Sequence, residues 1–118
     1  MLIYHLCRRM EWEAAQQSGH YGGSTQDQAD GFIHFSTAAT VAASAAKHRA
    51  GQSGLVLIAA EADALGPALR WETARGGVLF PHLYGALEIG DVKWVRELPL
   101  GADGRHAFPP LAGPSVEG

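Results

Sequence analysis

Apolar and polar positions come in short bursts along this chain. The first burst, "LIYHL" (Leu2 to Leu6), reads as a buried strand. It puts Leu2, Tyr4 and Leu6 on one face and Ile3, His5 and Cys7 on the other. "MEWEAAQQSG" follows with good helix formers, and Gly19 supplies a stop. "YGGSTQDQADG" is polar and glycine-rich and reads as a loop. "FIHFS" has the pattern of a strand, with Phe32, His34 and Ser36 on one face and Ile33 and Phe35 on the other. Ser36 or Thr37 is placed to cap a helix over "AATVAASAAKHRAG", where Val41, Ala45 and His48 share a stripe and Gly51 ends the run.

The second half is dominated by strand patterns. "GLVLIAAE" (Gly54 to Glu61) is a continuous apolar run, the pattern of a strand buried on both faces. "ADALGP" reads as a turn, "ALRWET" as a strand, and "ARGGVLFPHLYG" as an interrupted connection with a short extended piece. "DVKWVREL" carries the charges tolerated by a strand near an edge. Short strands with only two clear helices define an α+β class, a small mixed or split β-sheet with two main helices. Residues 1–100 form one globular domain on this pattern, and residues 101–118 an irregular C-terminal tail.

Composition narrows the function. The 118 residues suit one domain with a core that needs no disulfide, and the single cysteine, Cys7, has no internal partner. Lys and Arg number 9 against 12 Asp and Glu, a net charge of −3. That balance argues against a broad nucleic-acid surface but allows a small basic pocket. The pattern shows neither a secretory leader nor a run of transmembrane length, so a soluble cytoplasmic protein is expected.

Candidate chemistry sits in polar residues set among apolar ones: His5, His34, Ser36, Thr37, Trp71, Glu72, Arg75, His82 and Tyr84. An imidazole on an apolar strand needs a hydrogen-bond partner or a role. His5 fits a core histidine donating to a carbonyl as well as it fits a ligand contact. Ser36 and Thr37 fit helix caps, and a helix N-terminus also favours an anion. Trp71 reads as core, Glu72 and Arg75 as a solvated pair, and His82 as a turn residue. His20, His48 and His106 read as surface or packing residues, and Tyr21 as a loop anchor or a lid. The glycine pairs Gly22-Gly23 and Gly76-Gly77 lack the flanks of a phosphate loop or a dinucleotide fingerprint.

Taken in order, "IYHL", "GHYGGS", "DGFIHFSTAATV", "LVLIA", "LRWET" and "FPHLYG" resemble the bacterial and plant family called domain of unknown function 952, over Leu2 to Leu98. That family is grouped with the ADP-ribosyltransferase-like fold, whose members bind NAD in a cleft between two small sheets. The resemblance implies that His5 positions the cofactor, as the first-strand histidine or arginine of the fold does. It implies that His34, Phe35, Ser36 and Thr37 line the nicotinamide ribose. "FPHLYGAL" falls at the third motif, where many active transferases carry a glutamate and this chain offers His82. Glu72 and Glu88 lie close in sequence, but neither matches that glutamate.

The expected catalytic set is therefore His34, His82 and Glu72. The expected NAD-binding set is His5, Ser36, Thr37, Arg75 and Tyr84, with Arg75 meeting the pyrophosphate. The ligand is a small molecule or nucleotide, with no metal and no membrane surface implied and no protein partner indicated. A non-catalytic binding module that keeps the cleft is an alternative. A zinc site formed by the three histidines is a second alternative, although they lack the usual local spacing. A shared site requires His5, His34 and His82 to lie within about 12 Å of one another, the reach of one ligand-sized cleft.

Overall fold

The computed structural model describes residues 1–111 and, among these, leaves aside the side chain of Arg75. Its central layer is an antiparallel sheet in the order β1 (Leu2–Arg8), β4 (Leu55–Glu61) and β8 (Val92–Leu98). β4 lies between the other two. Its alternate residues are buried in two different cores, which is why it reads as an unbroken apolar run. Val56, Ile58 and Ala60 join Ile3, Cys7, Ile33, Phe35 and Leu83 in one. Leu55, Leu57 and Ala59 join Tyr4, Val41 and Leu98 in the other. The faces assigned to β1 from its alternation are those observed, and β8 lies at the sheet edge as its charges predict.

A second antiparallel sheet has the order β3 (Ile33–His34), β6 (Leu79–Leu83) and β5 (Leu69–Thr73). One bridge joins it to the first sheet. Tyr4 and Ser36 exchange backbone hydrogen bonds at 2.8 and 2.7 Å. The strand after His34 thus leaves its own sheet and touches β1, and the sheets diverge from that contact. A third, two-stranded sheet pairs β2 (His20–Tyr21) with β7 (Leu87–Glu88). The whole is a small α+β domain of several antiparallel sheets with few helices.

The helices show where the pattern misled. α1 (Arg9–Ser18) ends as expected on Gly19, whose φ of 94° is left-handed. The stretch read as a loop contains β2 and a further short helix, α2 (Thr25–Asp30). Ser24 caps α2 in a reciprocal pair with Asp27: the Ser24 hydroxyl accepts from the Asp27 N–H, and Asp27 Oδ2 accepts from the Ser24 N–H at 2.8 Å. Gly23 (φ 102°) is required just before it, since a Cβ there would meet the Asp27 Cβ at 2.7 Å.

α3 (Val41–His48) starts later than expected, with Thr40 at its N-cap. Ser36 and Thr37 do not cap it. Thr37 begins the preceding turn, where its N–H donates to Thr40 Oγ1 at 3.0 Å. The helix also ends at His48, short of Gly51. "ADALGP" forms 3-10 turns over Ala62–Ala68. Trp71, read as core, is 39 % exposed on β5, because that strand is an edge with an open outer face. No helix of the described residues is long and apolar enough to cross a membrane.

Candidate functional site

A cleft of about 880 Å³ opens between β1, β3, α2 and α3, with β6 at its far side. Its lining includes His5, His34, Ser36 and His82 from the sequence-derived set, together with Asp27 and Asp30. Asp27 is the hub. It is 3 % exposed and holds groups from three segments. Oδ1 accepts from the His34 imidazole at 2.6 Å and from the His34 N–H at 3.1 Å, while Oδ2 accepts from the Ser24 N–H. Burial alone would raise its pKa. The hydrogen bond from His34 and the nearby His5, with the backbone bonds, outweigh burial and bring it down to about 2. Asp27 is ionised at any ordinary pH.

That charge sets the state of His34. Nδ1 faces Asp27, and Nε2 lies 3.1 Å from Oδ2 of Asp30, one helical turn further along α2. A neutral imidazole has one N–H, whereas two flanking carboxylates are both satisfied only by the imidazolium. The hydrogen bond to Asp27 accordingly raises the His34 pKa, against the opposing effect of burial.

His5 is in the opposite state. Nδ1 lies 2.6 Å from the His34 carbonyl, which only accepts, so Nδ1 carries the proton. Nε2 then accepts from the Tyr21 hydroxyl at 2.7 Å. Burial lowers the His5 pKa despite nearby Asp27. Both ring nitrogens are engaged, so His5 ties β1 to β3 and β2. Tyr21 is a buried anchor, and burial raises its pKa, as it raises that of Cys7 beside it to about 12.

The second sheet contributes a separate pair. His82 Nδ1 donates to Glu72 Oε1 at 2.7 Å, and the Tyr84 hydroxyl donates to the same oxygen at 2.7 Å. Strand pairing places Arg70 opposite His82 and Glu72 opposite Phe80, and the Glu72 side chain reaches diagonally to His82. The two hydrogen bonds hold the Glu72 pKa below the usual carboxylate range. Phe32 stacks on His82 at 4.2 Å between ring centroids and touches His34 at 4.5 Å. The His34 and His82 rings are 5.5 Å apart, edge to face.

The structure therefore brings His5, His34, Ser36 and His82 to one cleft, with Glu72 and Tyr84 attached through His82. Thr37 is one turn away, and the Arg75 side chain lies outside the described residues. Asp27 and Asp30 were missed, although "STQD" carries the Ser-x-x-acid signature of a helix start. His48, read as surface or packing, lines the cleft. Among the described residues, no group of three or more His, Cys, Asp and Glu is placed to hold a metal ion. His5 and His34 instead direct their nitrogens at protein partners.

A small α+β domain with its polar side chains gathered between two sheets is thus the class defined by fold and cleft. The chain belongs to the family described as protein of unknown function (DUF952), which matches residues 6–95. Among solved structures it is similar to the crystal structure of protein CC0527 from Caulobacter crescentus, at 47 % identity and a TM-score of 0.88, covering 91 % of this chain and 94 % of that one. The solution structure of the same protein matches at 48 % identity and a TM-score of 0.79, covering 88 % and 90 %. No curated protein matches the chain.

Proposed function

We propose that the cleft binds NAD and that the domain is an ADP-ribosyltransferase-like enzyme. The observation that carries this is the convergence of His5, His34 and His82 on one cleft from three strands, with His34 and His82 only 5.5 Å apart. The position of the cleft, beside the single bridge where the two three-stranded sheets part, fits the layout expected of that fold. Its size lies within the range of pockets that bury a small organic ligand.

Each residue has a role that follows from its bonds. Breaking a nicotinamide–ribose bond sends the bonding electrons out with nicotinamide and leaves positive charge on the sugar, which is discharged when water or an acceptor nucleophile bonds to the anomeric carbon and gives up its proton; the protein's part is orientation and electrostatic stabilisation. Glu72 takes the N–H on Nδ1 of His82, which leaves Nε2 as the ring nitrogen that meets a ribose hydroxyl. The carboxylate then acts on the sugar through the imidazole, in the place where a motif glutamate would act directly. His34, held between Asp27 and Asp30, shapes the adjoining wall, and Ser36 offers a hydroxyl.

The test is calorimetric titration of NAD into the unmodified protein and into His34→Ala, with circular dichroism showing both folded. Binding that His34→Ala abolishes is expected, followed by release of nicotinamide. No heat of binding at millimolar NAD overturns the proposal. Binding without nicotinamide release leaves a non-catalytic module.

A further inference from the structure

α3 turns one polar stripe toward the cleft. Thr40, Ala43, Ser44, Lys47 and His48 all line it, and their spacing of three and four residues is that of a single helix face. The opposite stripe, Val41 and Ala45, is buried. Core packing therefore sets the rotation of the helix, and that rotation brings two hydroxyls, an ammonium and an imidazole to the cleft. Arg49, just past the last turn, lines the same space.

Cations in a last helical turn gain from the helix dipole, which suffices to account for Lys47 and His48. Arg49 needs more explanation. It is partly buried, and its guanidinium donates to the Leu6 carbonyl and to Oε1 of Gln52, both at 3.3 Å and both neutral. Among the described residues no carboxylate lies within ion-pair distance of Arg49 or Lys47. The cleft carboxylates, Asp27 and Asp30, both engage His34 instead.

Three other arginines have a charged or aromatic partner. Arg9 pairs with Glu97, Arg70 lies over the Tyr84 ring, and Arg96 over the Trp94 ring. Arg49 is held in place by two of its N–H groups, and a guanidinium has five. A charge partly withdrawn from water without a counter-charge carries a share of the desolvation cost, and a ligand anion offsets it. Ser44 adds a donor: its Oγ accepts from Ser36 at 3.2 Å, which leaves its own hydrogen free.

We infer that this wall is a phosphate-recognition subsite, in which Arg49, Lys47 and the Ser44 hydroxyl bind a phosphoryl or pyrophosphoryl group of the ligand. The inference rests on the cleft being a ligand site, as proposed above, but it does not require that ligand to be NAD. The rigid fork of Arg49 suits bidentate contact with phosphate oxygens. The ligand then spans two unlike walls, its anionic group against α3 and its hydroxylated part against the histidines of the two sheets.

The probe is inorganic pyrophosphate, titrated calorimetrically into the unmodified protein, Arg49→Gln and Lys47→Glu, with NAD titrated into the same three. Pyrophosphate is expected to bind and to weaken NAD binding by competition. Arg49→Gln is expected to lower its affinity about tenfold or more, the loss of a charge-assisted hydrogen bond. Lys47→Glu is expected to lower it several-fold. Lys47 is exposed, so its reversal tests the wall even if Arg49→Gln, which loses its bond to β1, fails to fold. Pyrophosphate that does not bind at millimolar concentration, or binds with unchanged affinity to the folded variants, overturns the subsite. NAD binding equal in all three proteins removes the subsite and leaves the NAD proposal standing. Pyrophosphate binding that depends on Arg49 or Lys47, with no NAD binding, does the reverse.

Discussion

Two histidine–carboxylate pairs face the same cleft and are built in opposite ways. In the pair His34–Asp27 the carboxylate is 3 % exposed, and it receives N–H groups from Ser24 and His34 besides the ring. In the pair His82–Glu72 the carboxylate is 36 % exposed, and its second partner is the hydroxyl of an exposed tyrosine. The ring-to-carboxylate distances, 2.6 and 2.7 Å, are nearly equal. Distance therefore says little about what each pair does. The histidines run the other way, His34 being 39 % and His82 13 % exposed, so it is the carboxylate that divides the pairs: removing a buried one strands the N–H groups it holds, whereas an exposed one adds little to stability. On the function proposed above, the first pair holds up the site and the second serves the ligand.

The strongest way to break this contrast is Asp27→Ala. It strands the buried Ser24 N–H and the half-buried His34 N–H, and it takes the inner carboxylate from the His34 ring, which keeps Asp30 and water as partners. A loss of about 3–5 kcal/mol is expected, read as a fall in the urea midpoint. A loss below about 1 kcal/mol would show that Asp27 is not the hub described here.

The same pair predicts an acid limb. The Asp27 pKa is about 2 in the fold against 3.8 in its absence, so the unfolded chain takes up protons first as pH falls. The stabilisation is complete above pH 3.8 and disappears toward pH 2, for a total of about 2 kcal/mol. His34 has the opposite sign. Its raised pKa gives stability that is full below pH 6.5 and is lost as pH rises through the raised value. Urea unfolding from pH 2 to 8 should show both limbs, and Asp27→Asn should remove the acid one. An unchanged acid limb in that variant would falsify the assignment to Asp27.

The difference between the pairs also explains what the sequence made legible. β4 was readable because two cores demand an unbroken apolar run, and α1 because Gly19 closes it. The faces of β1 and of "FIHFS" followed from alternation, and that alternation sent His34 toward the cleft. α2 was hidden because six residues of mostly polar sequence carry no apolar stripe, and only the capping pair marks its start. With α2 went Asp27 and Asp30. Their pairing with His34 spans a turn that runs through Gly31 at a left-handed φ of 86°, so spacing alone does not reveal it. Trp71 was misread because strand patterning does not tell an edge from a centre when the outer face stays open. His82 and Glu72 were picked out singly, but their hydrogen bond follows from a cross-strand register that was not read.

A smaller effect sharpens the account of the buried side. Tyr21→Phe removes the only donor that Nε2 of His5 has among the described residues and leaves that nitrogen facing Asp27 Oδ2 at 3.4 Å. The expected cost is about 1–2 kcal/mol in urea unfolding, the range for a buried acceptor left unsatisfied. The cleft walls stay in place, so ligand binding should fall by less than it does in His34→Ala.

The smallest expected effect on stability, and the most telling for function, is Glu72→Gln. The shape of the side chain is kept, and an amide oxygen still accepts from His82 Nδ1 and from the Tyr84 hydroxyl. What changes is the charge behind the imidazole. Because the carboxylate is open to water, the melting curve should superimpose on that of the unmodified protein. If His82 passes the Glu72 charge to a sugar in the cleft, nicotinamide release should fall sharply with NAD affinity little changed, the mark of an interaction made mainly in the transition state. His82→Ala should abolish the same step, and Glu72→Gln should add nothing on top of it, since two groups acting as one unit are not additive. Full additivity would separate Glu72 from His82. A melting temperature as depressed as that of Asp27→Ala would mean that both pairs are structural, and the division of labour between the two sides of the cleft would be lost.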